Sequence, residues 1–188
     1  KKAANLLDML EATINSGRVL SDYLTEASKI SAKKHEYKKI DFYKCIDEVI
    51  KTLSGSKNFE QVQFDVDINV NKPYKSKPEL IKSIFQNLIE NAIKYSKKPS
   101  KVYKPKINIT VKTQEEELII SVCDNGLGIN EKNLNKIFDL YYRANNSDVP
   151  GNGLGLYIVK SIVEGLNGKI SVQSNFKNGS CFEIHLPN

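Results

Sequence analysis

Five segments of this chain alternate apolar and polar residues, and this alternation restricts the fold more than any other feature. The segments are 62–70, 107–111, 118–122, 170–172 and 182–186. Each predicts a strand with one apolar and one polar face. Strands of a parallel, doubly wound sheet are apolar on both faces because helices cover both sides. We therefore predict an α/β (α+β) two-layer sandwich, in which a mixed, mostly antiparallel sheet has helices on one face.

One predicted helix has a polar face suited to an anionic ligand. Apolar residues recur every three or four positions over 80–93, after a capping sequence at 76–79. Off this stripe, Asn87, Asn91 and Lys94 are spaced at i, i+4 and i+7, so they share another face. Two carboxamides and one ammonium group on a single helix face could serve a metal ion and a polyphosphate.

Two glycine-rich segments follow this helix. Asp124 ends a predicted strand and begins the segment 124–129, where a carboxylate next to glycines suits a flat, amino-bearing base such as adenine. A generic surface turn is the alternative. The segment 151–156 leads into a predicted helix over 154–166, where backbone amides and the helix terminus favour an anion. A flexible connector is the alternative there. Its G-x-G-x-G order is neither a P-loop nor the dinucleotide-binding G-x-G-x-x-G.

An aromatic segment, 137–143, separates the two glycine segments. Its last residue, Arg143, could reach a terminal phosphate with its guanidinium fork. We expect the aromatic side chains to pack the base of a loop. Residues 145–150 form a short, polar segment, which is typical of a mobile lid.

These motifs, in this order, resemble the catalytic ATP-binding domain of sensor histidine kinases, in the superfamily that includes DNA gyrase and mismatch-repair ATPases. Residues 87–96 resemble the N box of that family, 124–129 the first glycine box and 138–143 the F box. Residues 151–156 resemble the second glycine box, and 178–180 the final glycine turn. The resemblance covers residues 41–188 and implies a Bergerat ATP-binding fold with ATP and Mg²⁺ as ligands.

The resemblance also implies roles for individual residues. Asn87, Lys94 and Arg143 would be catalytic, and Asn91 would hold Mg²⁺ through its carboxamide oxygen. Tyr95 would lie beside the adenine, whose amino group would donate to the carboxylate that begins the first glycine box. The complete set of predicted ATP contacts is Asn87, Asn91, Lys94, Tyr95, Asp124, Gly126, Gly128, Ile129, Tyr142, Arg143, Gly151, Gly153, Leu154, Gly155, Leu156 and Ser180.

Asn87 separates two kinds of activity within the superfamily. In the hydrolysing relatives a glutamate at this position activates water, whereas an amide cannot take a proton. We therefore expect transfer of the ATP γ-phosphate to a histidine, for relay to an aspartate of a response regulator, rather than hydrolysis. An ATP-sensing module without kinase activity and a slow ATPase are the alternatives.

The N-terminal part carries a different pattern. Residues 3–31 predict one long helix, and residues 1–34 resemble the second helix of a dimerisation and phosphotransfer hairpin, followed by a linker at 35–40. The family acceptor stands in an H-[ED]-x-x-x-P setting. His35 lacks the proline, and His185 lies in an ordinary strand. We therefore expect the acceptor upstream, a homodimer formed through this helix, and no autophosphorylation by the 188-residue chain alone.

Composition excludes some classes of partner. The net charge of +6 comes from scattered lysines, without an arginine-rich arm, so we expect no nucleic acid partner. There is no apolar run of about 18 residues, so we expect a cytoplasmic segment, with any membrane anchor upstream. The three cysteines, Cys45, Cys123 and Cys181, are far apart among apolar residues, and we predict that all three are buried free thiols.

Overall fold

A computed structural model describes residues 36–144 and 153–188. The strands are β1 Lys38–Lys39, β2 Gln63–Asn69, β3 Lys75–Ser76, β4 Lys106–Gln114, β5 Glu117–Asp124, β6 Lys169–Asn175 and β7 Gly179–Pro187. The helices are α1 Phe42–Leu53, α2 Pro78–Lys94, α3 Glu131–Leu134 and α4 Gly155–Gly165, and residues Phe59–Gln61 form a 3₁₀ turn.

Five of the strands form one sheet in the order β2-β4-β5-β7-β6. The β2–β4 pair is parallel, and the other three pairs are antiparallel. The prediction of a mixed, mostly antiparallel sheet is therefore confirmed. The strand segments predicted from alternation all coincide with observed strands, because a half-buried strand requires that period of two.

The core lies between one face of this sheet and the helices. Val111, Ile120 and Ile184 are neighbours across β4, β5 and β7, and all three are completely buried. Phe85 of α2 and Ile162 of α4 are buried against the same layer. Each such side chain contributes about 1.5–3 kcal/mol by leaving water. Since α2 packs against both α1 and α4, it is the central helix of the layer.

The beginnings of the two longer helices have different causes. The Asp41 side chain accepts a hydrogen bond from the Lys44 amide at 3.0 Å and caps α1. The predicted capping box at 76–79 is wrong, since Lys77 is the N-cap of α2 and no side chain caps it. Pro78 in the first turn favours the start of this helix instead. Its fixed φ suits the position, and its own nitrogen has no hydrogen that would need an acceptor.

A two-stranded ribbon joins the N-terminal side to the domain. β1 pairs with β3, and the Ile40 amide donates to the Tyr74 carbonyl at 2.9 Å. The contacts of the domain thus begin inside the segment 35–40. The predicted helix over 3–31, the whole segment 1–34 and His35 lie outside the described residues. Across the described residues, no helix is long and apolar enough to cross a membrane.

The prediction of three free thiols is wrong for two of them. Cys123 of β5 and Cys181 of β7 stand directly opposite each other and are joined by a disulfide. Their separation of 58 residues hid the pairing, which depends on the register of two antiparallel strands. Cys45 is free and half-buried.

Candidate functional site

The first glycine segment meets the C-terminal end of α2. The Leu127 amide donates to the Tyr95 carbonyl at 3.0 Å, and Tyr95 is the residue that ends the helix. The loop after β5 is thereby fixed against the last turn of α2. The structure thus brings Tyr95 together with the loop that carries Asp124.

Asp124 is a mostly buried carboxylate whose position is fixed by backbone amides. The Gly126 amide donates to its Oδ1 at 2.7 Å, and the Ser180 amide supplies a further hydrogen bond. Burial raises the pKa of Asp124 above its ordinary value of 3.8, while these two amides and the nearby Lys97 ammonium oppose that shift. Because a carboxylate oxygen can accept more than one hydrogen bond, a group held in this way can also accept from an amino group of a ligand.

The second glycine segment meets α2 two turns earlier, at Asn87. The Asn87 amide nitrogen donates to the Ser83 carbonyl at 2.8 Å, so its side-chain oxygen points away from its own helix. A Cβ atom placed on Gly155, the first residue of α4, would lie 2.8 Å from that oxygen. A side chain at position 155 would therefore displace the Asn87 carboxamide from this contact.

The other predicted residues of the second glycine segment lie around this contact. Leu154 is buried, Leu156 is half-buried, and Gly153 lies against the backbone of Tyr141 and Tyr142. Gly151 and the predicted lid at 145–150 lie outside the described residues. The start of α4 is thus connected to the aromatic segment that precedes it.

The polar face of α2 contains a charge partner that the sequence reading left out. The Lys94 ammonium lies 3.6 Å from the Glu90 carboxylate, one turn away, and the Lys94 side chain is 23% exposed. Asn91 is half-buried on the same helix. The spacing of four residues between Glu90 and Lys94 was the available signal. The pair holds the ammonium close to the helix surface while leaving it accessible.

The aromatic segment contributes Arg143 and Tyr142 in different ways. Burial raises the pKa of the Tyr95 phenol and the Arg143 charge lowers it, so the guanidinium lies near the end of α2. Arg143 itself is half-buried. The Tyr142 hydroxyl donates to the Asn133 side-chain oxygen at 3.0 Å, and Asn133 is buried. Tyr142 is therefore anchored within the segment 133–144, in line with the predicted packing of the loop base.

Ser174 of β6 connects several predicted residues, and sequence reasoning missed it. Its hydroxyl accepts from the Ile129 amide at 2.8 Å and donates to the Gly179 carbonyl at 2.9 Å. The Ser180 hydroxyl lies 2.9 Å from it and is left as the donor in that pair, because Ser174 has only one hydroxyl hydrogen. No motif marks Ser174, since its role comes from the pairing of β6 with β7.

The loop over residues 97–105 closes a second side of the Asp124 segment. Asn125 accepts from the Tyr103 hydroxyl at 3.0 Å and from the Lys106 amide at 2.8 Å, and it donates to the Lys104 carbonyl. The Lys97 ammonium donates to the Lys177 carbonyl at 2.8 Å and lies 4.6 Å from the centre of the Tyr103 ring. No motif in the sequence marks these contacts.

The available oxygen donors suit a hard metal ion that shares its coordination with a ligand. The described part of the chain contains no group of three or more His, Cys, Asp or Glu residues that could hold a metal. A carboxamide oxygen such as that of Asn91 fits Mg²⁺, which usually takes one or two protein oxygens and completes its shell with phosphate and water. The residues therefore fit Mg²⁺ together with a polyphosphate.

Comparisons with known proteins identify relatives of this arrangement. The sequence profile of the histidine kinase-, DNA gyrase B- and HSP90-like ATPases matches residues 76–188. The chain is 32% identical over 176 residues to the autoinducer 2 sensor kinase/phosphatase LuxQ of Vibrio cholerae, covering 90% of this chain and 20% of LuxQ. The chain spans less than a third of the length of the curated relatives it matches.

Solved structures share the fold. The catalytic domain of histidine kinase ThkA superimposes with a TM-score of 0.64 at 25% identity, covering 81% of this chain and 95% of that domain. Full-length ShkA in complex with AMPPNP superimposes with a TM-score of 0.70 at 20% identity, covering 90% of this chain and 35% of ShkA. The second likeness concerns the fold alone.

Proposed function

Since this chain belongs to the family of histidine kinase-, DNA gyrase B- and HSP90-like ATPases, we propose that residues 41–188 are the catalytic ATP-binding domain of a sensor histidine kinase. The observation that carries the proposal is that both glycine segments contact the same helix, α2, at different points along its length. One segment contacts Tyr95 at the end of the helix, and the other contacts Asn87 two turns earlier. These contacts are about 12 Å apart along the axis, at 1.5 Å per residue.

A ligand that spans this distance must be elongated and have unlike ends. At one end, Asp124 offers an acceptor for the amino group of adenine. At the other end, the first turn of α4 favours anionic groups. The Lys94 ammonium adds positive charge to α2, close to its Tyr95 end. ATP has this distribution of groups, and the complex of ShkA with AMPPNP supports an adenine nucleotide for a protein of the same fold.

The phosphate end favours transfer to a protein acceptor over hydrolysis. The Asn87 amide nitrogen is engaged with Ser83, and a carboxamide has no basicity with which to take a proton from water. Asn87 therefore positions the phosphates rather than taking up a proton, while the long side chains of Lys94 and Arg143 supply positive charge from the Tyr95 end of α2. Asn91 would hold Mg²⁺, which when bound would offset the negative charge of the phosphate oxygens.

The remaining parts of the proposal concern the whole protein. The phosphoryl acceptor is a histidine in a hairpin whose second helix is residues 1–34, joined through a short linker to the domain. That helix forms the homodimer, and the phosphate passes from histidine to an aspartate of a response regulator. The sensor kinases among the relatives support this assignment.

Incubation of the full-length protein with γ-labelled ATP and Mg²⁺ tests the activity. We expect acid-labile, base-stable phosphate on one histidine and only slow release of inorganic phosphate. The 188-residue chain alone should bind ATP without labelling itself. Asn87→Ala should abolish most of the labelling, whereas Asn108→Ala, at an exposed site on β4, should leave it unchanged.

Two outcomes would replace the proposal with one of its alternatives. Rapid release of inorganic phosphate without phosphohistidine would identify an ATPase. Tight ATP binding by the full-length protein with no label on any residue would identify an ATP-sensing module.

A further inference from the structure

The disulfide between Cys123 and Cys181 lies on the sheet face opposite the helices. Both cysteines are half-buried. Their next neighbours across the sheet are Asn108 on β4 and Gln173 on β6, which are both exposed and polar. No described helix covers this face, so a small thiol or disulfide in solution can approach the two sulfur atoms.

The disulfide is also one residue away from the carboxylate of the candidate site. Asp124 follows Cys123, Ser180 precedes Cys181, and these two residues are the next pair in the β5–β7 register. The Ser180 amide is one of the donors that orient the Asp124 carboxylate. In addition, a Cβ atom on Gly179, whose φ is +101°, would collide with the Asp124 carbonyl. The spacing of β5 and β7 at the cysteines therefore sets the geometry of Asp124.

The third cysteine is chemically different from this pair. Burial raises the pKa of the Cys45 thiol to about 11, so almost none of it is thiolate near neutral pH. Since the thiolate is the nucleophile in exchange reactions, Cys45 does not compete with the cross-strand pair. The chain thus contains one cross-strand cysteine pair and one poorly nucleophilic thiol that serves as an internal reference.

We propose that Cys123 and Cys181 form a site of thiol–disulfide exchange with low-molecular-weight thiols and disulfides, and that its state sets the affinity of the adjacent ATP site. In the reducing direction, a small thiolate attacks one cysteine sulfur, breaks the S–S bond and forms a mixed disulfide. A second small thiolate attacks the small-molecule sulfur of that mixed disulfide, which forms the small disulfide and releases the second cysteine. Both cysteines are released as thiolates and take up protons, so two small thiols become one small disulfide.

The expected direction of the coupling follows from preorganisation. The disulfide holds β5 and β7 together beside the contact between the Ser180 amide and Asp124. Two thiols occupy more space than a bonded pair of sulfurs and impose no tie, so reduction loosens that contact. A less preorganised site binds more weakly. We expect the reduced chain to bind ATP about three- to tenfold more weakly; this part rests on the proposed function.

The exchange site is tested first without any nucleotide. The 188-residue chain is equilibrated in mixtures of reduced and oxidised glutathione. It is then unfolded in denaturant that contains a reagent that blocks free cysteines, so that buried thiols are counted as well. We expect one reactive thiol per chain at the oxidised end, three at the reduced end, and a reversible transition between them. Three thiols per chain throughout the range would overturn the exchange site.

The coupling is tested by titrating ATP and Mg²⁺ calorimetrically into the same oxidised and reduced samples. Weaker binding after reduction supports the coupling, and equal affinity in the two states overturns it. Absence of ATP binding in both states, with the expected thiol counts, would overturn the proposed function and the coupling together while the exchange site stands.

Variants separate the cysteine pair from other effects of reductant. Cys123→Ser and Cys181→Ser should each bind ATP with the affinity of the reduced chain under all conditions. Cys45→Ser should keep the full response. If a serine variant fails to fold, the glutathione titration of the unaltered chain still decides the proposal. A response that survives in Cys123→Ser would contradict it.

Discussion

The Asn87 side-chain oxygen faces Gly155 so closely that a single added methyl group would displace it. Gly155→Ala should therefore push the Asn87 side chain away and break its hydrogen bond to the Ser83 carbonyl. The colliding atom belongs to a flexible side chain, so the stability of the fold should change little. We expect ATP affinity to fall by roughly 1 kcal/mol or more, which is at least fivefold.

Gly165→Ala is a matched control in the same helix. A Cβ atom at Gly165 meets no atom within 4 Å, so its ATP affinity should be that of the unaltered chain. Calorimetric titration of the two variants decides the point. Equal affinities for Gly155→Ala and Gly165→Ala would mean that Asn87 does not contribute to the site.

Lys97 should support the adenine end of the site from outside the motifs. Removing its ammonium in Lys97→Ala abolishes the hydrogen bond to the Lys177 carbonyl and the contact with the Tyr103 ring. We expect ATP affinity to fall by about 1 kcal/mol. The Lys97 charge also opposes the upward shift in the pKa of Asp124, so this pKa should be higher in the variant. As the pH is lowered, ATP binding by the variant should therefore begin to weaken at a higher pH than ATP binding by the unaltered chain.

Lys98→Ala provides the comparison, since Lys98 is an exposed neighbour of the same charge. Titrations of ATP between pH 5 and pH 8 would measure both effects. If both lysine variants follow the same pH profile, the assignment of Lys97 to the Asp124 environment is wrong.

His185 should make stability depend on pH at the outer face of the sheet. Hydrogen bonds with Glu117 and then Glu183, at 2.8 and 3.0 Å, raise the pKa of His185 above its ordinary value of 6.5. The folded state therefore binds the proton more tightly than the unfolded state. This contribution is complete below pH 6.5 and is lost as the pH rises through the folded-state value.

His185→Gln should remove this dependence. We expect it to lower the free energy of unfolding more at pH 5.5 than at pH 9, and less in high salt because the imidazole and its two carboxylate partners are partly exposed. Urea denaturation at the two pH values measures the difference. Lys169, which stands opposite His185 on β6, is also exposed. A loss of stability that is equal at both pH values would contradict the prediction.

The architecture could be predicted because it depends on local periods. The alternation in β4, β5 and β7 identifies half-buried strands, and the stripe over 80–93 identifies the central helix. The positions of the two glycine segments against that helix follow from their order in the chain and from the family resemblance. The alternation and the stripe need only residues that are near each other in sequence.

The features that the sequence did not predict depend on register between distant strands. The disulfide requires Cys123 to stand opposite Cys181, and the role of Ser174 requires β6 to lie beside β7. The contacts of Lys97 depend on the path of an irregular loop, for which no period exists. The predicted capping box at 76–79 failed because the match of a short motif does not ensure the backbone geometry that a cap needs.

Asp124 should destabilise the nucleotide-free fold. Because burial raises the pKa of this carboxyl, the folded state favours its neutral form, and stability falls as the pH rises from the ordinary value of 3.8 through the folded-state value. Asp124→Asn keeps an oxygen that can accept from the Gly126 amide but removes the charge. At pH 7.5 we expect the variant to have a higher midpoint temperature of unfolding. The gain in the free energy of unfolding should be on the order of 1 kcal/mol.

Thermal denaturation without nucleotide tests this expectation. The gain in the Asp124→Asn variant should shrink as the pH is lowered, because the unaltered carboxyl then takes up a proton in the folded state. A variant that is less stable than the unaltered chain at pH 7.5 would show that the carboxylate is stabilised by its amide donors more than it is penalised by burial.

The most direct test of the nucleotide site is the calorimetric affinity of Asp124→Asn for ATP in the presence of Mg²⁺. The amide replaces a charged acceptor, and the loss should be roughly 1.5–3 kcal/mol, or about ten- to 150-fold. Asp67→Asn, at an exposed position on β2, should bind ATP like the unaltered chain. An affinity of Asp124→Asn equal to that of Asp67→Asn would contradict the assignment of this edge of α2 as the ATP site.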